Sequence, residues 1–322
     1  MKVLLTGGAG FIGSHVADRL VARGDEVVIV DSFDPFYDPE VKRRNIEQLL
    51  KSGSATLVEC DICDFAALEN ATRAIHIDAI VHLAARAGVR PSLDRPRDYV
   101  RTNVEGTQSM LDLSRKRDIT PFVMGSSSSV YGDATPVPFR EDAVAGTPIS
   151  PYAATKRAAE LLCHAHAYLH GTSIACLRLF TVYGPRQRPD LAIHKFAKLM
   201  MQGEEIPFFG DGSTERDYTY VDDIVGGIER ALDWCVSAPA SAFEIMNLGE
   251  NVTTSLSTLI ELIASELGVS PRLCRLPHQP GDVQRTCADV TRAREIIGYD
   301  PRMTMEEGIH RFIQWLRVQP MT

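Results

Sequence analysis

Thr6-Gly7-Gly8-Ala9-Gly10-Phe11-Ile12-Gly13 is the stretch that decides the fold. Before it lies an apolar strand, Lys2-Val3-Leu4-Leu5-Thr6, and after it the spacing predicts an amphipathic helix from about Ile12 to Arg23. A second strand, Glu26-Val27-Val28-Ile29-Val30, ends at Asp31. Strand, glycine turn, helix and strand together fill the ~30 residues of a dinucleotide-binding unit. Glycine at 7, 10 and 13 permits a tight turn, a close backbone approach to a pyrophosphate, and close packing of helix on strand. The start of the helix, around Phe11 and Ile12, offers unpaired N–H groups to phosphate oxygens. Asp31 is spaced to hydrogen-bond a ribose diol. Ser32 and Phe33 follow it, with no arginine to meet a 2′-phosphate, so NAD is expected rather than NADP.

The alternation continues outward. Ala55–Cys60 reads as a strand followed by Asp61-Ile62, with a helix near Phe65–Arg73. Ala79–Leu83 is a strand running into Ala84-Ala85, residues small enough for a cofactor to come close. Arg97–Arg115 reads as one long helix containing Asn103, and Pro121–Gly125 as a strand entering Ser126-Ser127-Ser128-Ser129. Ser173–Leu179 is a further strand, leading into Phe180-Thr181. This pattern predicts an α/β fold, a Rossmann-like doubly wound parallel sheet with ligands at the strand carboxyl ends. From Arg186 the pattern breaks: Arg188-Pro189-Asp190, Phe208–Gly212 and Glu215–Tyr218 read as loops. Val221–Asp233 and Phe243–Leu248 restore it, and the tail from Thr254 reads as mainly helical. The expected division is a dinucleotide-binding domain of residues 1–180 plus about 217–248, and a smaller lobe of about 181–216 and 249–322.

Tyr152-Ala153-Ala154-Thr155-Lys156 follows the helix-start signal Ser150-Pro151, which puts Tyr152 and Lys156 on one helix face. A free tyrosine holds its proton to pH ~10. An ammonium beside it favours the phenolate, and such a pair can take a proton from a hydroxyl. Alone, the spacing has low specificity, because half-exposed helices also carry tyrosine and a snorkelling lysine this far apart.

Composition narrows the classes. The 322 residues are 44% hydrophobic and 24% charged with a formal net charge of -8, and no basic block points to nucleic acid or an anionic membrane. Met1 runs almost directly into the first strand without a signal-peptide pattern, and no apolar run reaches the ~20 residues of a membrane span, so a cytoplasmic location is expected. Seven scattered cysteines fit reduced thiols better than a disulfide framework. Cys60-Asp61-Ile62-Cys63 has no companion Cys-x-x-Cys, and no glutamate follows His166 as a zinc-protease helix requires. His164, His166 and His170 therefore read as helix-surface histidines, and no metal is expected.

Together, Thr6–Gly13, His82-Leu83-Ala84-Ala85, Ser126–Gly132, Ser150–Lys156, Arg178–Pro185 and Arg216–Asp223 make the chain closely resemble the extended short-chain dehydrogenase/reductase family, and within it the nucleotide-sugar 4-epimerases. The resemblance spans essentially the whole length. It implies hydride removal from C4 of a UDP-sugar onto NAD while Tyr152 takes the O4 proton, Lys156 supports the phenolate and Ser127 hydrogen-bonds the reacting oxygen. The 4-keto intermediate then rotates and receives the hydride on its other face. It also implies cofactor contacts at Gly7, Gly10, Phe11, Ile12, Gly13, Asp31, Asp61, Ile62, Leu83, Ala84, Ala85, Asn103, Tyr152, Lys156 and Phe180. A homodimer, paired through the helices near Arg97–Arg115 and Tyr152–His170, is implied as well. In 4,6-dehydratases the positions of Ser128 and Ser129 carry Asp-Glu, and in UDP-glucuronate decarboxylases a glutamate stands at Ser129. Serine cannot do a carboxylate's acid–base work, which disfavours both reactions.

For the sugar, Phe180-Thr181-Val182-Tyr183-Gly184-Pro185 followed by Arg188-Pro189-Asp190 resembles bacterial UDP-glucuronate 4-epimerases, as do Asp34–Pro39 and Gln279–Val283. Galactose-type epimerases usually have asparagine where this chain has Thr181. Thr181 and Arg188 would clamp a C6 carboxylate, unless Arg188 only ties its loop to a neighbouring acid. Resemblance puts Arg216 on the diphosphate, Phe209 and Tyr218 near the uracil, and Gln279 near the ribose. Asp282 falls in the same substrate-contacting segment, and Ser128 and Ser129 near the sugar. The small Thr286 gates the sugar pocket and leaves room for an N-acetyl group. UDP-glucuronate 4-epimerisation is thus the leading expectation. UDP-glucose or UDP-N-acetylglucosamine epimerisation is the alternative, and a decarboxylase or an inactive NAD-sensing protein stands further off.

Overall fold

The structure is a computed structural model and describes residues 1–143, 147–277 and 283–319. Its centre is a seven-stranded sheet, in spatial order Phe243–Leu248, Ser173–Leu179, Pro121–Ser127, Ala79–His82, Lys2–Thr6, Glu26–Asp31 and Ala55–Glu59. Every pairing within it is parallel; Val3, for example, lies opposite both Val27 and Ala79. Side chains alternate between the two faces, and both faces are buried. Val3, Leu5, Val27 and Ile29 enter one core, while Leu4, Val28, Val30 and Ile80 enter the other. This is the doubly wound α/β fold that the alternation predicts. The strand order turns back at Lys2–Thr6, so the crevice between its end and that of Ala79–His82 is the switch point where such sheets bind ligands.

The glycine turn sits at that crevice. Gly7 adopts φ +68°, and a Cβ there would lie 2.8 Å from the amide nitrogen of Ala84. A Cβ on Gly13 would come within 2.1 Å of the Gly7 carbonyl oxygen. The helix after the turn runs Phe11–Ala22, and the tyrosine helix runs Pro151–His170, its first turn capped by Ser150 Oγ accepting from Ala153 N at 3.2 Å.

Other expectations are corrected. The predicted Arg97–Arg115 helix comprises Pro96–Val100 and Gly106–Lys116, joined by a wide π turn at Arg101–Glu105 that carries Asn103. Of the segments read as loops, Phe208 and Phe209 end the strand Glu205–Phe209, and Glu215–Tyr218 holds the short strand Glu215–Arg216 and the start of Tyr218–Tyr220. The helix Ala192–Met201 lies between them and carried no expectation. The strand Glu205–Phe209 pairs in parallel with Arg272–Leu276, a partner about sixty residues away that local periodicity cannot reveal. His166 is buried, with its ring 4.7 Å from that of His170, so it is no surface histidine.

Two glycine substitutions test this packing. Gly13→Ala forces a methyl onto backbone and lowers the melting temperature. Gly226→Ala, with nothing within 4 Å of the new methyl on helix Val221–Ser237, stabilises by about 0.5–1 kcal/mol. Thermal melts of both variants check this, and a Gly13→Ala protein as stable as wild type contradicts the close approach.

Candidate active site

Because the sheet is parallel, the strand carboxyl ends gather on one edge, and they border a cleft of about 600 Å³. Gly7, Gly10, Phe11, Ile12, Gly13 and Asp31 line one end of the sequence-derived set, with Asp61, Ile62, Leu83, Ala84 and Ala85 from the neighbouring strand ends. Ser127, Ser128, Ser129, Tyr152, Lys156, Phe180, Thr181 and Arg188 line the same cleft. Residues read as cofactor contacts and residues read as catalytic are therefore brought together.

The cofactor side is shaped by backbone. Asp31 Oδ2 accepts from Ala9 N at 3.1 Å and its Oδ1 from Phe33 N at 2.9 Å. These bonds orient the carboxylate, and its remaining lone pairs are enough for a diol. Glycine without Cβ at 7 and 13 lets the turn pack directly on Ala84 and on itself, which sets the amides of Phe11, Ile12 and Gly13 in the first turn of the helix Phe11–Ala22. The donor set fits an NAD adenosine ribose and pyrophosphate. Asp61 is half-tied: Oδ1 accepts from Cys63 N at 2.9 Å and Oδ2 from Arg101 Nη2 at 2.8 Å. Asn103 does not line the cleft. It is buried one layer behind, accepting from Arg86 N at 2.8 Å and donating to Arg86 O and Thr155 Oγ1, both at 3.0 Å.

The catalytic side is more polar. Ser127 and Tyr152 line the cleft together, and Ser127 donates to Ser129 Oγ at 3.1 Å. Lys156 is buried and donates from Nζ to Gly125 O at 2.7 Å; burial brings its pKa down to about 8, with Glu160 opposing. Lys156 is not among the groups that lower the Tyr152 pKa, so the expectation that it does so is not met. Burial raises the tyrosine above its ordinary value, and Ser127 and Arg188 only partly offset that. His82, bridging Thr6 Oγ1 at 2.7 Å and Thr107 Oγ1 at 3.1 Å, is held neutral by burial and then by Lys156, with a pKa of about 3.

The residues expected around the nucleotide are not among those that line this cleft, although Tyr218 pairs with cleft-lining Thr181 on the adjacent strand. Phe209 sits under Arg90, whose guanidinium is 5.4 Å from the ring centre. Arg216, Tyr218 and Thr286 gather around buried Asp217, whose amide donates to Thr286 Oγ1 at 3.3 Å. Gln279 and Asp282 fall outside the described residues. Phe36, Tyr37, Lys42, Arg86 and Arg101 also line the cleft and were not singled out as site residues. Phe36 and Tyr37 fall in the Asp34–Pro39 segment and Arg86 directly follows Ala84-Ala85, whereas Lys42 and Arg101 carry no local signal.

The sequence pattern of the NAD dependent epimerase/dehydratase family matches residues 3–249. The chain belongs to this family. It is 39% identical over 313 residues to the UDP-glucuronate 4-epimerase of Thermodesulfobacterium geofontis, covering 97% of this chain and 95% of the relative. The UDP-glucuronic acid 4-epimerase of Bacillus cereus, solved with UDP-glucuronic acid and NAD, superposes with a TM-score of 0.90 at 33% identity, covering 98% of this chain and 99% of that one. The UDP-glucose 4-epimerase of Thermotoga maritima, solved with UDP-glucose, gives a TM-score of 0.89 at 32% identity with the same coverage.

In this epimerase/dehydratase chain one buried carboxylate joins the elements that carry the polar groups. Glu160, fully buried one turn beyond Lys156, accepts from Ser126 Oγ at 2.6 Å, from Arg178 Nε and Nη2 at 2.9 Å each, and from Arg157 Nη1 at 2.8 Å. Burial works against its charge, yet Arg178, Ser126 and Arg157 together hold its pKa below the ordinary value. Glu160→Ala leaves Arg178 buried and unpaired and costs about 3–5 kcal/mol, while Ser126→Ala removes one bond and costs about 1 kcal/mol. Denaturant unfolding checks both, and equal losses would deny Glu160 its central place.

Proposed function

We propose that this protein interconverts UDP-glucuronate and UDP-galacturonate by reversible oxidation at C4 of the sugar, with NAD as its cofactor. The observation that carries the reading is that Ser127, Tyr152 and Lys156 line one cleft with the glycine turn and Asp31, with serine at 128 and 129. The relatives named for UDP-glucuronate 4-epimerisation support it. Bound NAD would supply the hydride acceptor at C4 and return the hydride. The chain's own residues manage the proton and the orientation. Tyr152 takes the proton from O4, Ser127 shares that oxygen through its hydroxyl, and the Lys156 ammonium stabilises the phenolate as it forms. Ser128 and Ser129 cannot act as acid–base carboxylates, so the chemistry stops at the ketone. Thr181 and Arg188 hold the C6 carboxylate, which is worth holding because a 4-keto uronate is a β-keto acid prone to lose carbon dioxide.

A second reading, UDP-glucose 4-epimerisation, is favoured by the fact that Arg188 already carries Asp190 as an internal carboxylate partner at 2.7 Å. We assign Phe209, Arg216, Tyr218 and Thr286 to the nucleotide end of the substrate and Phe180 to the nicotinamide end of the cofactor. Residues 1–180 with about 217–248 are proposed as the cofactor-binding part, and the remainder as the substrate lobe. Among the described residues no helix is long and apolar enough to cross a membrane, and action in the cytoplasm is proposed on the composition argued above. A homodimer is proposed through the helix Pro151–His170, where Leu161, Tyr168 and Leu169 are exposed. Light scattering at the mass of two chains supports it, and a monomer at micromolar concentration overturns it.

Incubation of the purified protein with UDP-glucuronate and UDP-glucose, resolving the 4-epimers, tests the central reading. Product from UDP-glucuronate is expected, and turnover of UDP-glucose alone overturns it. Tyr152→Phe lowers kcat about a thousandfold; unchanged product formation would remove Tyr152 from the mechanism. Since the Lys156 ammonium is lost above its pKa of about 8, kcat/KM falls above that pH in wild type. In Lys156→Met this limb is absent.

A further inference from the structure

Arg188 is held from two directions. Its Nε donates to Asp190 Oδ1 at 2.9 Å and its Nη2 to Asp190 Oδ2 at 2.7 Å, a bidentate pair two residues apart. The guanidinium face lies over the Phe36 ring, 5.0 Å from its centre. Phe36 comes from the other end of the cleft, five residues after Asp31. Its segment is itself pinned: Arg86 Nη2 donates to Asp34 Oδ2 at 2.7 Å, and Lys42 Nζ to Asp34 O at 2.8 Å. One edge and one face of the guanidinium are thus fixed by chain segments some 150 residues apart.

An arginine side chain has many rotamers, and immobilising it on ligand binding normally opposes affinity. Asp190 and Phe36 order it in advance, which favours a ligand that needs that orientation. Asp190 takes the Nε–Nη2 edge, so the Nη1 end is what remains to meet a ligand. The pair also cancels most of the bare charge. Recognition of a second carboxylate then depends on a directed hydrogen bond more than on long-range attraction. Tyr37 and Tyr152 line the same cleft as Arg188, and Asp190 supplies the acid against the guanidinium.

We infer that Asp190 and Phe36 are positioning residues for Arg188, and that through it they set which C6 substituent the cleft prefers. The inference rests on the uronate reading above and deepens it. Without Asp190, Arg188 keeps its charge but loses its orientation, and discrimination for the uronate falls. Phe36→Leu keeps the apolar bulk and removes the aromatic face, so it moves the preference in the same direction by less.

Calorimetric titration of the NAD-loaded protein with UDP-glucuronate and with UDP-glucose tests this, alongside turnover assays. In Asp190→Ala the ratio of the two dissociation constants shifts against UDP-glucuronate by about tenfold. Asp190→Glu recovers part of the shift, and in an Arg188→Ala background Asp190→Ala adds nothing. A ratio unchanged in Asp190→Ala overturns the positioning role. So does an equal shift with and without Arg188, since a merely structural loop contact would act that way. Wild-type protein that fails to turn over UDP-glucuronate overturns the functional reading instead, so the two failures are separable.

Discussion

The fully buried carboxylate of Glu160 is the constraint on which the catalytic side depends. It belongs to the helix that carries Tyr152 and Lys156, it accepts from the serine that precedes Ser127, and it pairs with Arg178 on the strand that leads to Phe180 and Thr181. A buried ion pair is weak evidence for stability, because desolvating both charges costs about as much as their attraction returns. What it supplies here is geometry. Four donors of fixed direction converge on two oxygens, so a rotation of the helix or a slide of either strand breaks several bonds at once. Arg178 extends the network outward by lying over the Tyr131 ring at 4.6 Å, and the Tyr131 hydroxyl donates to Asn247 Oδ1 at 2.7 Å. The edge strand Phe243–Leu248 is in this way tied to the same carboxylate.

The cofactor side is held by the opposite means, with backbone in place of charge. Gly7 and Gly13 allow contacts that any side chain would block, and Thr6 Oγ1 accepts from Ala84 N at 3.2 Å across the switch point. Such a site suits a long polyanionic ligand bound by many N–H groups. The catalytic side must fix a few reacting atoms, for which convergent side chains serve better.

This contrast explains what was legible in the chain. The glycine turn, Asp31, the small residues at 84 and 85, the serine run and the Tyr152–Lys156 spacing are local signals, each within or directly after one element. The structure brings all of them to one cleft. What periodicity missed is non-local or largely polar. The strand Glu205–Phe209 exists because Arg272–Leu276 pairs with it, and the polar helix Pro39–Lys51 buries only three side chains, Lys42, Ile46 and Leu49. The π turn at Arg101–Glu105 was invisible for a different reason. Asn103 there bonds the backbone of Arg86 and the side chain of Thr155, which a straight helix does not require. Arg188 was read either as a clamp or as a loop tie, and it proves to line the cleft while bonded to Asp190. Sequence spacing could not show that a cleft-lining position and the Asp190 bond coexist.

The electrostatics of Tyr152 follow from the same arrangement. Lys156 spends its Nζ on Gly125 O, and burial weakens its hold on a proton. Tyr152 is buried too, and burial raises its pKa, so the phenolate is disfavoured while Lys156 stays an ammonium up to its pKa of about 8. Arg188 is the cation that opposes this for the tyrosine, from the side on which the sugar would lie. A substrate that engages Arg188 through a carboxylate would reduce that help, whereas the positive charge of an oxidised nicotinamide would add to it. Base strength is therefore a property of the loaded cleft. Burial thus disfavours the Tyr152 phenolate, and any charge placed in the cleft shifts that balance.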